Sequence, residues 1–391
     1  MQSLQKQIIY FKLESAYGVD STPVATDAVL CGSINISPLE GATVERNIMM
    51  PYFGNLGSIR TENYVKISFE VELAGSGTAG TAPKLAPLLK ACNFSETLTA
   101  APITATGLTG TANTIGLAVT ASTVDDIYTG MSISITGGTG VGQIREIVSY
   151  AGATKMATLA TNWAVTPDAT SVYAIGANAM YTPNSSIGPV TLTSGVIHWY
   201  NDGKRHILLG ARGSFKPDLS VKAEGKASFE FTGLLGTYSD TAFPAANFTG
   251  WQVPVTISTA NTTDLNILGF TGAGLALDKF SIDIGNKVIY RQLVGQESVL
   301  ITDRNVTGSI SLEDIAFATK DYFSMAKNSG EGVLCIKHGQ TPGNIVGITG
   351  RSVQPTNPKF SNKDDINMLD LGLEFMPFLN AGNDEIRICF K

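Results

Sequence analysis

Three histidines, four cysteines and two pairs of adjacent aspartates are the residues of this sequence with the clearest capacity for chemistry. His198 and His206 flank Asn201, Asp202 and Gly203, a hairpin turn, so they are expected to be cross-strand neighbours at the surface; His338 stands apart in the chain. Two imidazoles without a third ligand do not make a zinc site. Cys31, Cys92, Cys335 and Cys389 lie far apart, with no CxxC pair and no His pair nearby, and read as free thiols in a reducing cytoplasm. Asp125 with Asp126, and Asp364 with Asp365, are sequence neighbours whose side chains diverge; both pairs are expected in solvated turns rather than as an acid and a base. GGTGVG, residues 137 to 142, has the glycines of a phosphate loop but lacks the Lys and Ser/Thr that would follow, and its spacing misses GxGxxG. A hairpin turn is the reading there. No GxSxG, HExxH or GxxxxGK[ST] segment occurs. The sequence therefore assigns no catalytic residue, no cofactor-binding residue and no metal ligand, and it points away from an enzyme.

The chain has 391 residues, which at roughly 150 residues per domain suggests two to three domains. Charged residues make up 15% and hydrophobic residues 43%, with 41 glycines among many Thr, Ser and Ala, a globular composition that favours β-structure. The 33 acidic residues exceed the 27 Lys and Arg, giving a net charge of -6, so a basic footprint for holding nucleic acid is missing. No apolar run reaches the roughly 18 residues a membrane helix requires, and the first residues do not form a signal peptide. A soluble protein, not exported by that route, is expected.

The elements that position these residues are legible in places. In YVKISFEVEL (64 to 73), Val65, Ile67, Phe69, Val71 and Leu73 alternate with Lys66, Ser68, Glu70 and Glu72, which predicts a long strand with one buried face. A Gly/Thr/Ala loop follows. Leu85, Leu88, Leu89 and Cys92 then have helical spacing; Pro83 suits a first turn, and Pro87 moves the expected helix start towards Leu85. Residues 101 to 178 turn rich in Thr, Ala and Gly, and their short segments MSISITGG, QIREIVSYAG and KMATLATNW predict an inserted small β-sandwich or barrel. Beyond it, Asp202 and Gly203 suit a tight two-residue turn, and KASFEF alternates Ala227, Phe229 and Phe231 inward. These strands are expected to rejoin the sheet begun at residue 64.

The C-terminal part repeats this order. VTGSISLE (306 to 313) is a second alternating strand, and DIAFATKDYFSMAKN (314 to 328) has helical spacing through Ile315, Ala318, Tyr322 and Met325. GKRHILLGARGSFKPDLS matches GNIVGITGRSVQPTNPKFS, and KASFEFTGL matches LDLGLEFMPF. The predicted fold class is mainly β with minor α: two tandem units, each a β-sandwich or barrel with a flanking helix, plus an inserted small β domain. The domain boundaries are 1–100 with 179–240 for the first unit, 101–178 for the insertion and 241–391 for the second unit.

Residues 33 to 98, above all PLEGATVER, the alternating strand and AGSGTAGTAPKLAPLLKAC, resemble the tail tube (major tail) proteins of long-tailed bacteriophages. The resemblance runs over residues 1 to 100 most fully, over 180 to 235 less so, and reaches the second copy through its element order. Residues 101 to 178 are similar to the small β-modules that decorate phage tails. The resemblance implies a structural virion protein that self-assembles into stacked rings, located in the tail after assembly in the host cytoplasm. Its implied partners are further copies of itself, the tape measure, the tail terminator and distal tail proteins; phage DNA would pass through without specific binding. Related tubes use rings of six tube domains, so two domains per chain imply a trimer with pseudo-sixfold symmetry. A conduit for DNA should have a polar wall that does not attract phosphate. Lys66, Ser68, Glu70 and Glu72, with Thr307, Ser309, Ser311 and Glu313, are assigned to that lumen. Met49, Met50, Pro51, Tyr52 and Phe53 are costly to leave in water, and the family's extended loop in this region implies contact between rings; the competing reading is that they tuck into the core of their own domain. The insertion is expected outside the tube and dispensable for assembly. A carbohydrate-binding or adhesive β-rich surface protein is the alternative, disfavoured by an aromatic content of 8%.

Overall fold

A computed structural model describes residues 6–107, 109–186, 192–271, 274–378 and 382–391. The chain opens with β1 (Gln7–Leu13), β2 (Ala28–Val29) and β3 (Cys31–Glu40), then a hairpin of β4 (Thr43–Glu45) and β5 (Ser58–Arg60). β6 (Tyr64–Glu72) follows, with every second side chain buried from Val65 to Val71, as its alternation predicts. Helix α1 (Ala86–Ala91) starts after Leu85 and buries Leu88 and Leu89. Pro87 lies in its first turn, where a missing donor costs nothing, and Pro83 stands outside it. β7 (Phe94–Thr99) completes this stretch.

The next six strands form a sheet of their own: β8 (Ile103–Thr106), β9 (Thr114–Gly116), β10 (Ser132–Gly137), β11 (Ile144–Ala151), β12 (Met156–Leu159) and β13 (Val172–Ile175), in the order β8-β13-β10-β11-β12-β9. Gly138, Gly140 and Gly142 take positive φ in the turn joining β10 to β11, so the glycine-rich segment is a hairpin turn. Ile133, Ile147, Leu159, Tyr173 and Trp163 build the core of this sheet, and Met180 and Cys389 from outside it join that core.

The chain returns through β14 (Asn178–Pro183), β15 (Gly195–Asn201), β16 (Lys204–Ser220) and β17 (Lys226–Asp240). Asp202 and Gly203 both have positive φ in the two-residue turn between β15 and β16. β17 pairs with both β16 and β6, which brings Phe69, Phe215, Phe229 and Phe231 into one row; Phe215 and Phe229 have ring centroids 5.4 Å apart and Phe69 and Phe229 5.9 Å. Each such buried ring contributes about 1.5–3 kcal/mol relative to exposure.

The remaining elements are β18 (Thr262–Ile267), β19 (Leu277–Asp283), the hairpin β20 (Asn286–Leu293) and β21 (Gln296–Arg304), β22 (Thr307–Glu313), helix α2 (Tyr322–Lys327), β23 (Gly332–His338), β24 (Val346–Lys363), β25 (Ile366–Met376) and β26 (Arg387–Phe390). They repeat the first pattern. β3 pairs β6, β6 pairs β17 and β17 pairs β16; likewise β19 pairs β22, β22 pairs β25 and β25 pairs β24. β16 meets β19, so both sets belong to one 16-stranded sheet around one core cluster. Phe11 of β1 meets Phe231 of β17 across that core, at 5.6 Å.

The expected helix over 314–328 is shorter. Asp321, in an extended conformation, accepts a hydrogen bond from Ser324 N–H at 2.8 Å and caps α2, so only residues 322–327 are helical and Ile315 and Ala318 lie in the turn region before it.

Candidate assembly surfaces

The titratable residues take structural places. His198 pairs with Ile207 and Trp199 with His206, so the two histidines point to opposite faces and are not neighbours, correcting the expectation from their positions beside the turn. Residues offset by one along a strand alternate faces, and the turn sets that register. His198 Nε2 lies 3.0 Å from Asp20 Oδ1, while His206 stacks near Tyr238. His338 Nε2 faces the Val255 carbonyl at 3.0 Å and its Nδ1 faces the Thr262 hydroxyl at 3.0 Å. Burial lowers the pKa of all three imidazoles; the Asp20 carboxylate opposes this at His198 without reversing it. The four cysteines are unpaired with one another, and burial pushes the Cys31 and Cys389 thiols up to about 12. No cluster of three or more metal-ligating side chains occurs among the described residues.

Asp364 and Asp365 are exposed at the β24–β25 turn, as expected, but Asp125 and Asp126 are not a solvated pair. Asp126 is buried, accepts from Tyr150 N–H at 2.9 Å and Thr129 Oγ1 at 3.0 Å, and forms an ion pair with Arg351. Arg387 donates to the carbonyls of Asp126 and Thr129. These bonds tie the inserted sheet to β24 and β26.

A second anchor is the buried ion pair between Glu146 on β11 and Lys391. Burial alone would lower the pKa of the Lys391 ammonium, but the Glu146 carboxylate opposes that through its charge and its hydrogen bond, and the net shift is upward. A third is Asn266, whose Nδ2 donates to the Ala160 carbonyl at 2.8 Å. These contacts sit on the faces of β23, β24, β26 and β14 that carry Cys335, Thr349, Cys389 and Met180, while Ile336, Ile348, Ile388 and Tyr181 on the alternate positions face the shared core. The sparse charges of the inserted segment were visible in the sequence, but their partners more than 200 residues away were not.

Arg212 is another residue that sequence reasoning passed over. It is wholly buried on β16, donating to the carbonyls of Val299, Leu192 and Thr193, with its guanidinium 4.5 Å from the Tyr17 ring centroid. It thereby fixes the β20–β21 hairpin to the first half of the chain.

Two surfaces remain. Lys66, Ser68, Glu70 and Glu72 lie on the face of β6 turned away from the core, and Thr307, Ser309, Ser311 and Glu313 occupy the corresponding face of β22 in the same sheet. Along the paired strands this face continues through Glu230, Asp218, Asp283, Asp370 and Glu374, interspersed with Lys216, Lys226, Lys279 and Lys359. Lys216 pairs with Asp283 at 2.7 Å and Lys279 with Asp218 at 3.2 Å, so much of its positive charge is met locally. The second surface is apolar: Met49, Met50, Pro51, Tyr52 and Phe53 form the tip of the β4–β5 hairpin, and all five are exposed, Met49 and Phe53 completely. They do not tuck into the core of their own chain. Leu293 and Val294 form a matching exposed tip on the β20–β21 hairpin.

The fold and these surfaces define a mainly β structural protein built on a duplicated sheet with a polar face and apolar hairpin tips. A family model described as phage tail tube protein matches residues 5–377, and the chain belongs to that family. No curated protein matches the chain.

Proposed function

We propose that the chain self-assembles into rings of three copies with pseudo-sixfold symmetry, and that the rings stack into the tube through which the phage genome passes. In this reading residues 1–100 with 179–240, and residues 241–391, are two tube units, and 101–178 is a decorating module. The observation that carries the proposal is the duplicated pairing of β3-β6-β17-β16 and β19-β22-β25-β24 inside one sheet, which gives a single chain two equivalent places in a ring.

The polar face of β6 and β22 lines the channel. Its excess of carboxylates over lysines repels the phosphate backbone, which favours sliding over binding. The inserted sheet lies on strand faces that point away from the shared core elsewhere in the sheet, consistent with a position on the tube exterior. The Met49–Phe53 tip reaches the adjacent ring, where pliable Met side chains adapt to a neighbouring surface. Tape measure, terminator and distal tail proteins meet the same tube at its lumen and ends. Cryo-electron microscopy of the concentrated protein tests this: stacked rings of three chains around a channel lined by Glu70 and Glu72 are expected. Six chains per ring, or those glutamates on the exterior, would overturn it.

A further inference from the structure

We propose that the seam joining the two halves of one chain is repeated between chains, so that residues 359 to 361 of one copy pair antiparallel with residues 30 to 32 of a second copy. This deepens the ring assembly proposed above and rests on it.

Within the chain the seam is short and well defined: Asp218 pairs with Ser281, Leu219 with Phe280 and Ser220 with Lys279. The pairings on either side locate its equivalents. Asp218 faces Lys226, which faces Glu72; Lys359 faces Asp370, which faces Ser311. Lys359, Phe360 and Ser361 therefore stand where Asp218, Leu219 and Ser220 stand. On the other flank, Cys31 faces Val71 as Phe280 faces Ile310, and Gly32 faces Glu70 as Ser281 faces Ser309. Leu30, Cys31 and Gly32 thus take the places of Lys279, Phe280 and Ser281. The intermolecular register follows as Lys359 with Gly32, Phe360 with Cys31 and Ser361 with Leu30.

Both edges are open in the single chain. Among the described residues, β3 pairs only with β6, and β24 beyond Val353 pairs only with β25. Leu219 at the internal seam is 2% exposed, whereas its counterpart Phe360 is 59% exposed. At the β3 edge Leu30 is exposed, and a groove of about 270 Å3 beside it lies on the sheet face over β3, β6 and β17, lined in part by Cys31, Glu70, Glu72 and Lys226. Open, partly apolar edges of this kind template pairing with another chain.

The hairpins repeat the relation. The β20–β21 hairpin of the second half rests on β16 and β17 of the first, burying Val299 and Ile301. The β4–β5 hairpin occupies the same place between β3 and β6, yet its Val44 and Ile59 are exposed. Across the proposed seam it would lie on β24 and β25 of the neighbouring copy. A head-to-tail contact of this type closes into a ring when its rotation divides the circle.

The test uses the native Cys31. Opposed residues of an antiparallel pair have Cα atoms about 4.5–5.5 Å apart, within disulfide range. Phe360→Cys, assembled and then oxidised, should give chains linked as dimers and trimers on a non-reducing gel, and the added Cys31→Ser should abolish the links. Hydrogen exchange on the unmodified protein provides the second readout: amides at 30–32 and 359–361 should gain protection on going from unassembled chain to tube. Tubes that form with no link and no added protection at either segment would overturn the seam while leaving the tube intact. Failure of the unmodified protein to form any ring or tube would instead overturn the assembly reading itself.

Discussion

Replacing Glu146 by Gln should loosen the grip of the inserted sheet on the second half of the chain. Glu146 and Lys391 have side chains 1% and 5% exposed, so the carboxylate is the charge that compensates a buried ammonium. Gln keeps the shape and can still accept from Ser132 Oγ, which donates to the carboxylate at 2.6 Å, but it removes the countercharge. Breaking one side of a buried pair typically costs about 3–5 kcal/mol, because the remaining charge stays desolvated. At about 2.1 cal/mol/K per residue, unfolding a chain of this length carries an entropy of about 0.8 kcal/mol/K, so the midpoint should fall by about 4–6 °C if the chain melts as one unit. Differential scanning calorimetry of the unassembled protein reads this directly. The double variant Glu146→Gln with Lys391→Met removes both charges and should recover most of the loss, since an apolar replacement of a whole buried pair is often neutral. Glu146→Gln within about 0.5 kcal/mol of the parent, or a double variant as costly as the sum of its single changes, would refute the reasoning.

Met50→Ser with Phe53→Ser should leave the melting of the unassembled chain unchanged, because both side chains are exposed on the hairpin tip, while tube formation seen by negative stain is lost. Replacing residues 101–178 by a short Gly/Ser linker should leave tubes that still form, at reduced stability, because the deletion uncovers Met180 and Cys389 and removes the carboxylates facing Lys391 and Arg351; absence of assembly by a folded deletion variant would contradict this. Acidification should destabilise the unassembled chain: the three histidines have folded pKa values below the ordinary 6.5, so their contribution is present above about pH 6.5 and is lost as pH falls through the lower folded values. Thermal melts from pH 7 to 5 should show a falling midpoint, and His338→Gln should flatten part of that fall.

Local chemistry determined what the sequence alone could disclose. The period of two in residues 64–73 dictates a half-buried strand whatever covers it, and Asp202-Gly203 sets a two-residue turn through its own backbone preferences. The matching segments at 203–220 and 343–361 already implied a duplication, because repeated strands leave a repeated pattern of alternation and turns. Tertiary structure decided the rest. Helical spacing at 314–328 could not show that Asp321 would cap the helix so late, and the turn between His198 and His206 did not reveal a register that sends them to opposite faces. Asp126 reads as a turn residue until Arg351 closes over it, and Glu146 reads as one charge in a sparse segment until Lys391 arrives from the far end of the chain. Burial of a charge depends on what packs above it, and that partner is chosen by long-range folding, which leaves no periodic trace around the residue itself.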